Sequence, residues 1–327
     1  MQDRMSGAGR ILSIAAAFAA LSQIVTLGQV KTVPRPKLGA PPPESRPAAN
    51  LRIDTNLVLV PVSVLDPTNH PVTGLEKEHF RVLEDRVEQA ITHFSMDDEP
   101  VAVGLVFDIS GSMGPKLQKS RQAAAEFFRT SNIEDEFFLV EFNDQPKLVV
   151  PLTRNVEEIQ NQLTWAQSKG RTALLDAVFL AMNEMKKSKK NRKALLIISD
   201  GGDNSSRYSE TEVKNLVREH DVLIYAVGVF ESAGGRMRTS EEAGGPGLLN
   251  DLSEQSGGRH LPADVNELPD IAAKIGVELR NRYVLGYSPA NQVRDGRYHT
   301  LQVKVVAPKG LPTLRPYFRR GYYAPAK

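Results

Sequence analysis

The chain of 327 residues contains no cysteine. That absence excludes a disulfide scaffold, a thiolate metal site and lipid attachment through an N-terminal cysteine. A domain of this size stabilises itself by core burial instead. Charge of one sign is also scarce: 41 Lys and Arg stand against 39 Asp and Glu, a net charge of +2. So small an excess gives no electrostatic basis for binding nucleic acid. The densest basic run, 186–193, closes a predicted helix, where cations complement the dipole.

What is present changes along the chain. Residues 1–29 read as an export signal, with Arg4 and Arg10 ahead of the apolar stretch Ile11 to Leu27. A retained N-terminal anchor is the alternative, since these 17 residues lie at the short limit for crossing about 30 Å of hydrocarbon. The expected location is therefore secreted or periplasmic, at the cell envelope, with membrane contact only through that segment. Residues 30–50 form a Pro-rich linker centred on Pro41-Pro42-Pro43, extended or disordered.

Residues 51–97 lack a helical period and read as a β module, with strands at 57–65, 80–85 and 89–94. From 98 to 282 the pattern alternates. Strands are expected at 101–107, 137–142, 147–152, 194–199 and 222–229. Helices are expected at 116–130, 156–165, 173–188, 211–220 and 267–282. Such alternation predicts an α/β fold, a mainly parallel sheet with helices on both faces. Only Asn143 to Pro146 separate the second and third strands, so these form a hairpin and one edge strand is antiparallel. Residues 283–327 return to β, with strands at 283–287, 300–306 and 315–322. Either β region alone is marginal. The two are expected to pair into one β-sandwich flanking the α/β unit.

Chemistry concentrates where the first α/β strand ends. The run Val101 to Phe107 is continuously apolar, as in a strand buried on both faces, and Asp108-Ile109-Ser110-Gly111-Ser112 follows it. The carboxyl ends of parallel strands are where ligands bind in such sheets. Gly170-Arg171-Thr172 introduces a helix, and Ser199-Asp200-Gly201-Gly202 leaves the fourth strand on the same side of the sheet. Asp108, Ser110, Ser112, Thr172 and Asp200 together offer two carboxylates and three hydroxyls. These hard oxygen donors suit Mg²⁺, with Mn²⁺ or Ca²⁺ as alternatives. Capping of helices is the plain alternative for the same residues. Asp176 is expected to be a hydrogen-bonding partner, and Asp203 and Asn204 to lie at the rim.

The three segments resemble the metal-ion-dependent adhesion site of the von Willebrand factor type A domain. Val62 to Asp66 and Tyr283 to Tyr287 add a resemblance to exported bacterial proteins of the acidobacterial von Willebrand factor A-related type. The resemblance implies a Rossmann-like domain with the five named residues as metal ligands. It also implies that an Asp or Glu carboxylate of a protein partner completes the coordination, in an adhesion module rather than an enzyme. An assembly subunit with a purely structural metal is the alternative function.

Further absences weigh against catalysis. A phosphatase with an aspartyl nucleophile would place an acid two residues after Asp108, where Ser110 stands. Ser112, Asp203 and His260 suggest a hydrolase, but Ser110-Gly111-Ser112-Met113-Gly114 lacks the first glycine of a nucleophile elbow. His260 is expected at the surface. A dinucleotide site would need a glycine-rich phosphate loop, and Asp108 would repel the pyrophosphate unless a metal intervened. The Gly-rich insert 231–247 is expected to be a charged loop bordering the metal face.

Overall fold

A computed structural model describes residues 57–96, 99–230, 240–290 and 295–326, with the backbone alone for 240–243. The expected signal, the linker and residues 231–239 of the insert lie outside the described residues.

The described residues begin with four strands, β1 (Val58–Leu65), β2 (Phe80–Glu84), β3 (Val87–Gln89) and β4 (Ile91–Ser95). The α/β unit follows as β5 (Val101–Asp108), α1 (Leu117–Arg129), β6 (Glu136–Phe142), β7 (Pro146–Thr153), α2 (Val156–Trp165), α3 (Leu174–Met185) and β8 (Arg192–Ser199). It continues as α4 (Glu210–Glu219), β9 (Leu223–Phe230), α5 (Ser240–Ser256), β10 (Arg259–Asp264) and α6 (Leu268–Arg280). Four strands close the chain: β11 (Tyr283–Tyr287), β12 (Tyr298–Val305), β13 (Arg315–Tyr317) and β14 (Gly321–Tyr323).

The central sheet has six strands in the order β10-β9-β8-β5-β6-β7. All neighbours run parallel except β6 and β7, whose three-residue connection leaves no room for a crossover. Alternation along β5 divides its side chains between two cores. Val101, Val103, Leu105 and Phe107 pack with α1, α2 and α6, while Ala102 and Val106 pack with α3, α4 and α5. With both faces covered, every residue of β5 is buried. The chain leaves β5 toward β6 on one side and later adds β8 on the other. The ends of β5 and β8 therefore form the switch point where such folds open a crevice.

Two further sheets, β13-β1-β11-β4 and β14-β12-β2-β3, each combine strands from both ends of the chain. Val60, Val62, Phe80, Val82, Tyr283, Leu285 and Val303 share one core between them. The α/β unit is thus inserted between β4 and β11, which are themselves paired, with Ser95 opposite Val284. Arg282 at the junction is 1% exposed and donates to the Pro61 carbonyl at 2.9 Å. Arg259 pairs with Glu278 at 2.8 Å and lies over the Tyr317 ring, tying β10 and α6 to the sandwich.

Several expected elements differ. The strand expected at 89–94 is two, β3 and β4, which enter different sheets on either side of Ala90. The strand expected at 315–322 likewise divides into β13 and β14. The first helix is preceded by a 3₁₀ segment, Gly111–Lys116. The second half of the Gly-rich insert is helix α5 and not a loop, anchored by buried Leu249 and Leu252. β10 was not expected from its mixed composition. As an edge strand it accommodates Pro262.

Candidate metal centre

Three loops meet beyond the ends of β5 and β8. Backbone bonds hold the first to the second: Lys169 N–H donates to Ile109 O at 2.9 Å and Gly111 N–H to Gly170 O at 3.0 Å. The second binds the third through Asn204, whose N–H donates to Thr172 O at 2.9 Å. Its Oδ1 accepts from the Thr172 N–H at 3.0 Å. Two glycines make the fit possible. Gly170 has φ +81°, and a Cβ there would lie 2.4 Å from Asp144 Oδ2, the carboxylate that also holds Arg171 N–H. Gly201 has φ +84°, and a Cβ there would lie 2.7 Å from the Gly245 backbone of α5, so α5 packs directly on the third loop.

Asp108 is fully buried, and its acceptors are met by neutral donors. The Ser110 N–H donates to Oδ1 at 2.8 Å and the Ser199 hydroxyl to Oδ2 at 2.6 Å. Burial, reinforced by the neighbouring Asp200 charge, pushes the Asp108 carboxyl up to about 7 against the pull of these hydrogen bonds. Asp200 is 3% exposed. Its Oδ2 accepts from Lys116 Nζ at 3.0 Å, while its Oδ1 is buried without a hydrogen-bond donor among the described residues.

The hydroxyls are not used as caps. Ser110 begins the 3₁₀ segment without a side-chain cap bond, and its Oγ lies 3.1 Å from the Ser112 Oγ. Thr172 is buried just before α3, whose N-cap is Ala173 and likewise makes no side-chain cap bond. The end of α3 is satisfied from the third loop, where Asp203 Oδ2 accepts from Leu175 N–H at 2.8 Å. Asp203 and Asn204 thus brace the second loop through its backbone. Asp176 is occupied by the Arg207 and Tyr208 N–H groups at 2.8 and 3.0 Å.

The donor set accommodates a divalent cation on three counts: a buried carboxylate oxygen without a donor, two carboxylates whose proximity raises one of them, and hydroxyls left out of capping. Ser199 and Lys116 complete this environment, and neither stood out in the sequence. Ser199 is the last residue of a buried strand, and its hydroxyl also accepts from Gly201 N–H at 2.9 Å. It supports Asp108 and the third loop together.

The residues of a hydrolase do not assemble. Ser112 follows β5, whereas His260 lies on β10, three strands away and so roughly 14 Å across the sheet. His260 is half-buried and not a surface residue. Its ring meets Phe230 edge-on, and burial lowers its pKa. It lines a cavity of about 640 Å³ beside the sandwich, together with Arg259, Asp270, Lys274, Tyr317 and Arg320. This lining mixes both charge signs and contains none of the five candidate ligands.

Residues 103–202 match the family model of the von Willebrand factor type A domain, so the chain carries such a domain and its Rossmann-like fold. Among curated proteins, mouse inter alpha-trypsin inhibitor, heavy chain 4, is 27% identical over 39% of this chain and 15% of its own length. An uncharacterized protein of Borreliella burgdorferi is 25% identical over 47% of this chain. The chain spans about half of that relative. Among solved structures, the von Willebrand factor type A protein from Catenulispora acidiphila superposes with a TM-score of 0.48 at 13% identity, covering 82% of this chain and 74% of that one. The conserved hypothetical protein BatB from Bacteroides thetaiotaomicron gives 0.44 at 19% identity, covering 54% and 98%.

Proposed function

We propose that the chain is an extracytoplasmic protein-binding module that engages an acidic side chain of its partner through a divalent cation, with Mg²⁺ the first choice. The observation that carries this reading is the donor-free buried oxygen of Asp200, set beside a second carboxylate and three uncapped hydroxyls. Asp108, Ser110, Ser112, Thr172 and Asp200 would hold the cation, an arrangement resembling a metal-ion-dependent adhesion site. When bound, Mg²⁺ supplies a Lewis-acidic position suited to a partner's Asp or Glu carboxylate. Asp108 and Asp200 contribute charge, Ser199 orients Asp108, and Asn204 with Asp203 keeps Thr172 in place.

The extracytoplasmic setting follows from residues 1–29 read as an export signal, together with the resemblance to exported bacterial von Willebrand factor A-related proteins. Among the described residues no helix is long and apolar enough to cross a membrane. The module is read as non-enzymatic because Ser110 replaces the acid a phosphatase needs, and Ser112 and His260 lie apart. The test is capture of a partner from envelope extracts with Mg²⁺, with EDTA and with Asp108→Ala. Capture is expected only in the first. Equal capture in all three would reject the cation-dependent reading.

A further inference from the structure

Lys116 ends the 3₁₀ segment after the first loop, and the proposed ligand set makes no use of it. Its Nζ lies 3.0 Å from Asp200 Oδ2, and the two side chains are 11% and 4% exposed. So dry a pair differs from a surface salt bridge, because removal of either partner leaves a charge stranded in low dielectric. The Asp108 carboxylate has only neutral donors, and Lys169 and Arg171 on the same loops are exposed. Arg171 donates to the Asn204 carbonyl.

We infer that the Lys116 ammonium is a tethered counter-ion for the Asp108–Asp200 pair, and that a divalent cation binds in competition with it. The inference rests on the cation-binding reading above. Charge counting gives its sign. With both carboxyls ionised, as ligation requires, two carboxylates and one ammonium present a single negative charge to an arriving cation, and the carboxylates alone present two. One unit of charge a few Å away in a partly buried site alters affinity roughly tenfold or more. Lys116 therefore weakens cation binding and steadies the loops before a cation arrives. If Lys116 served instead to orient Asp200 toward the cation, its loss would weaken binding.

The test is calorimetric titration of Mn²⁺ and Mg²⁺ into the full chain and its variants Lys116→Met, Lys116→Arg and Asp108→Ala. Lys116→Met keeps an apolar stem and removes the charge. It is expected to bind Mn²⁺ roughly tenfold more tightly than wild type, while Lys116→Arg stays near wild type. Thermal melts supply a second readout. Without cation Lys116→Met should melt below wild type, and saturating Mn²⁺ should raise its Tm by more. If Lys116→Met does not hold its fold, Lys116→Gln, which retains a donor for Asp200, serves in its place. Unchanged or weaker affinity in Lys116→Met or Lys116→Gln, while wild type binds through Asp108, overturns the inference and leaves the cation reading intact. Equal binding by wild type and Asp108→Ala overturns the cation reading itself.

Discussion

Two acidic clusters among the described residues are finished differently. In the sandwich, Glu84, Asp85 and His299 bring ligand atoms within 4.8 Å of one another, a grouping that on composition alone suits a metal. Each of those carboxylate oxygens already faces a donor. Glu84 Oε2 accepts from the Tyr287 and Tyr322 hydroxyls, and its Oε1 lies 3.4 Å from His299 Nδ1. Asp85 Oδ1 accepts from the N–H and hydroxyl of Thr300, and its Oδ2 lies 2.8 Å from His299 Nδ1. At the sheet ends the two carboxylates are more deeply buried, and one oxygen of Asp200 has no donor. A cation is attracted less by the number of acids than by the donors they lack. The sandwich cluster is a closed network that ties β2 to β12, whereas the loop cluster is open.

The contrast is sharpest at Asp108. Asp108→Ala is expected to lower cation affinity at least a hundredfold, since loss of outer-shell partners alone costs tenfold to a hundredfold. Asp85→Ala should leave calorimetric titration unchanged, and an equal loss in both variants would erase the distinction. Glu84→Gln should do the reverse. It removes a charged acceptor from two tyrosines and His299 in a buried setting, at a cost of about 1–3 kcal/mol read by chemical denaturation, with cation affinity intact.

Ser199→Ala should affect both readouts in smaller measure. Stability is expected to fall by about 1 kcal/mol and cation affinity by roughly tenfold, because Asp108 loses its hydroxyl donor.

The smallest effect is in the pH dependence of the sandwich. Burial alone would lower the His299 pKa, but hydrogen bonds to Asp85 and Asp295 and the charges of Asp85 and Glu84 raise it overall. Protonated His299 therefore adds stability that is complete below the ordinary value of 6.5. That stability is lost as pH rises through the raised folded value. Wild type should lose more Tm than His299→Gln across this interval, and parallel profiles would remove His299 from the network's energetics.

The legible parts of the molecule were those with strong periodicity. The continuous apolar runs of β5 and β8 and the amphipathic α1 and α4 identify an α/β unit, and the short β6–β7 connection dictates the antiparallel edge. Asp108, Thr172 and Asp200 could be grouped because each stands where a parallel sheet opens. α5 was hidden because Gly244, Gly245 and Pro246 disfavour a helix locally, and packing of Leu249 and Leu252 overrides them. β10 was hidden by polar residues that an edge strand tolerates. Ser199 and Lys116 carried no local signal, since a serine ending a strand and a lysine opening a helix are ordinary. Their importance arises from side chains brought together across 91 and 84 residues of sequence.

The insertion of the α/β unit between β4 and β11 has a mechanical consequence. Tension drawn through the loops reaches the sandwich at Ser95 and Tyr283, on two strands that lie side by side. Both are pulled in the same direction, so their mutual ladder is not peeled open. Instead β11 must slide against β1 along the register from Val58–Tyr287 to Val62–Tyr283, loading those rungs together. A pull between residue 58 and residue 326 follows another route and passes the inserted unit by. The fold thus separates the path of a load applied at the loops from that of a load applied along the chain.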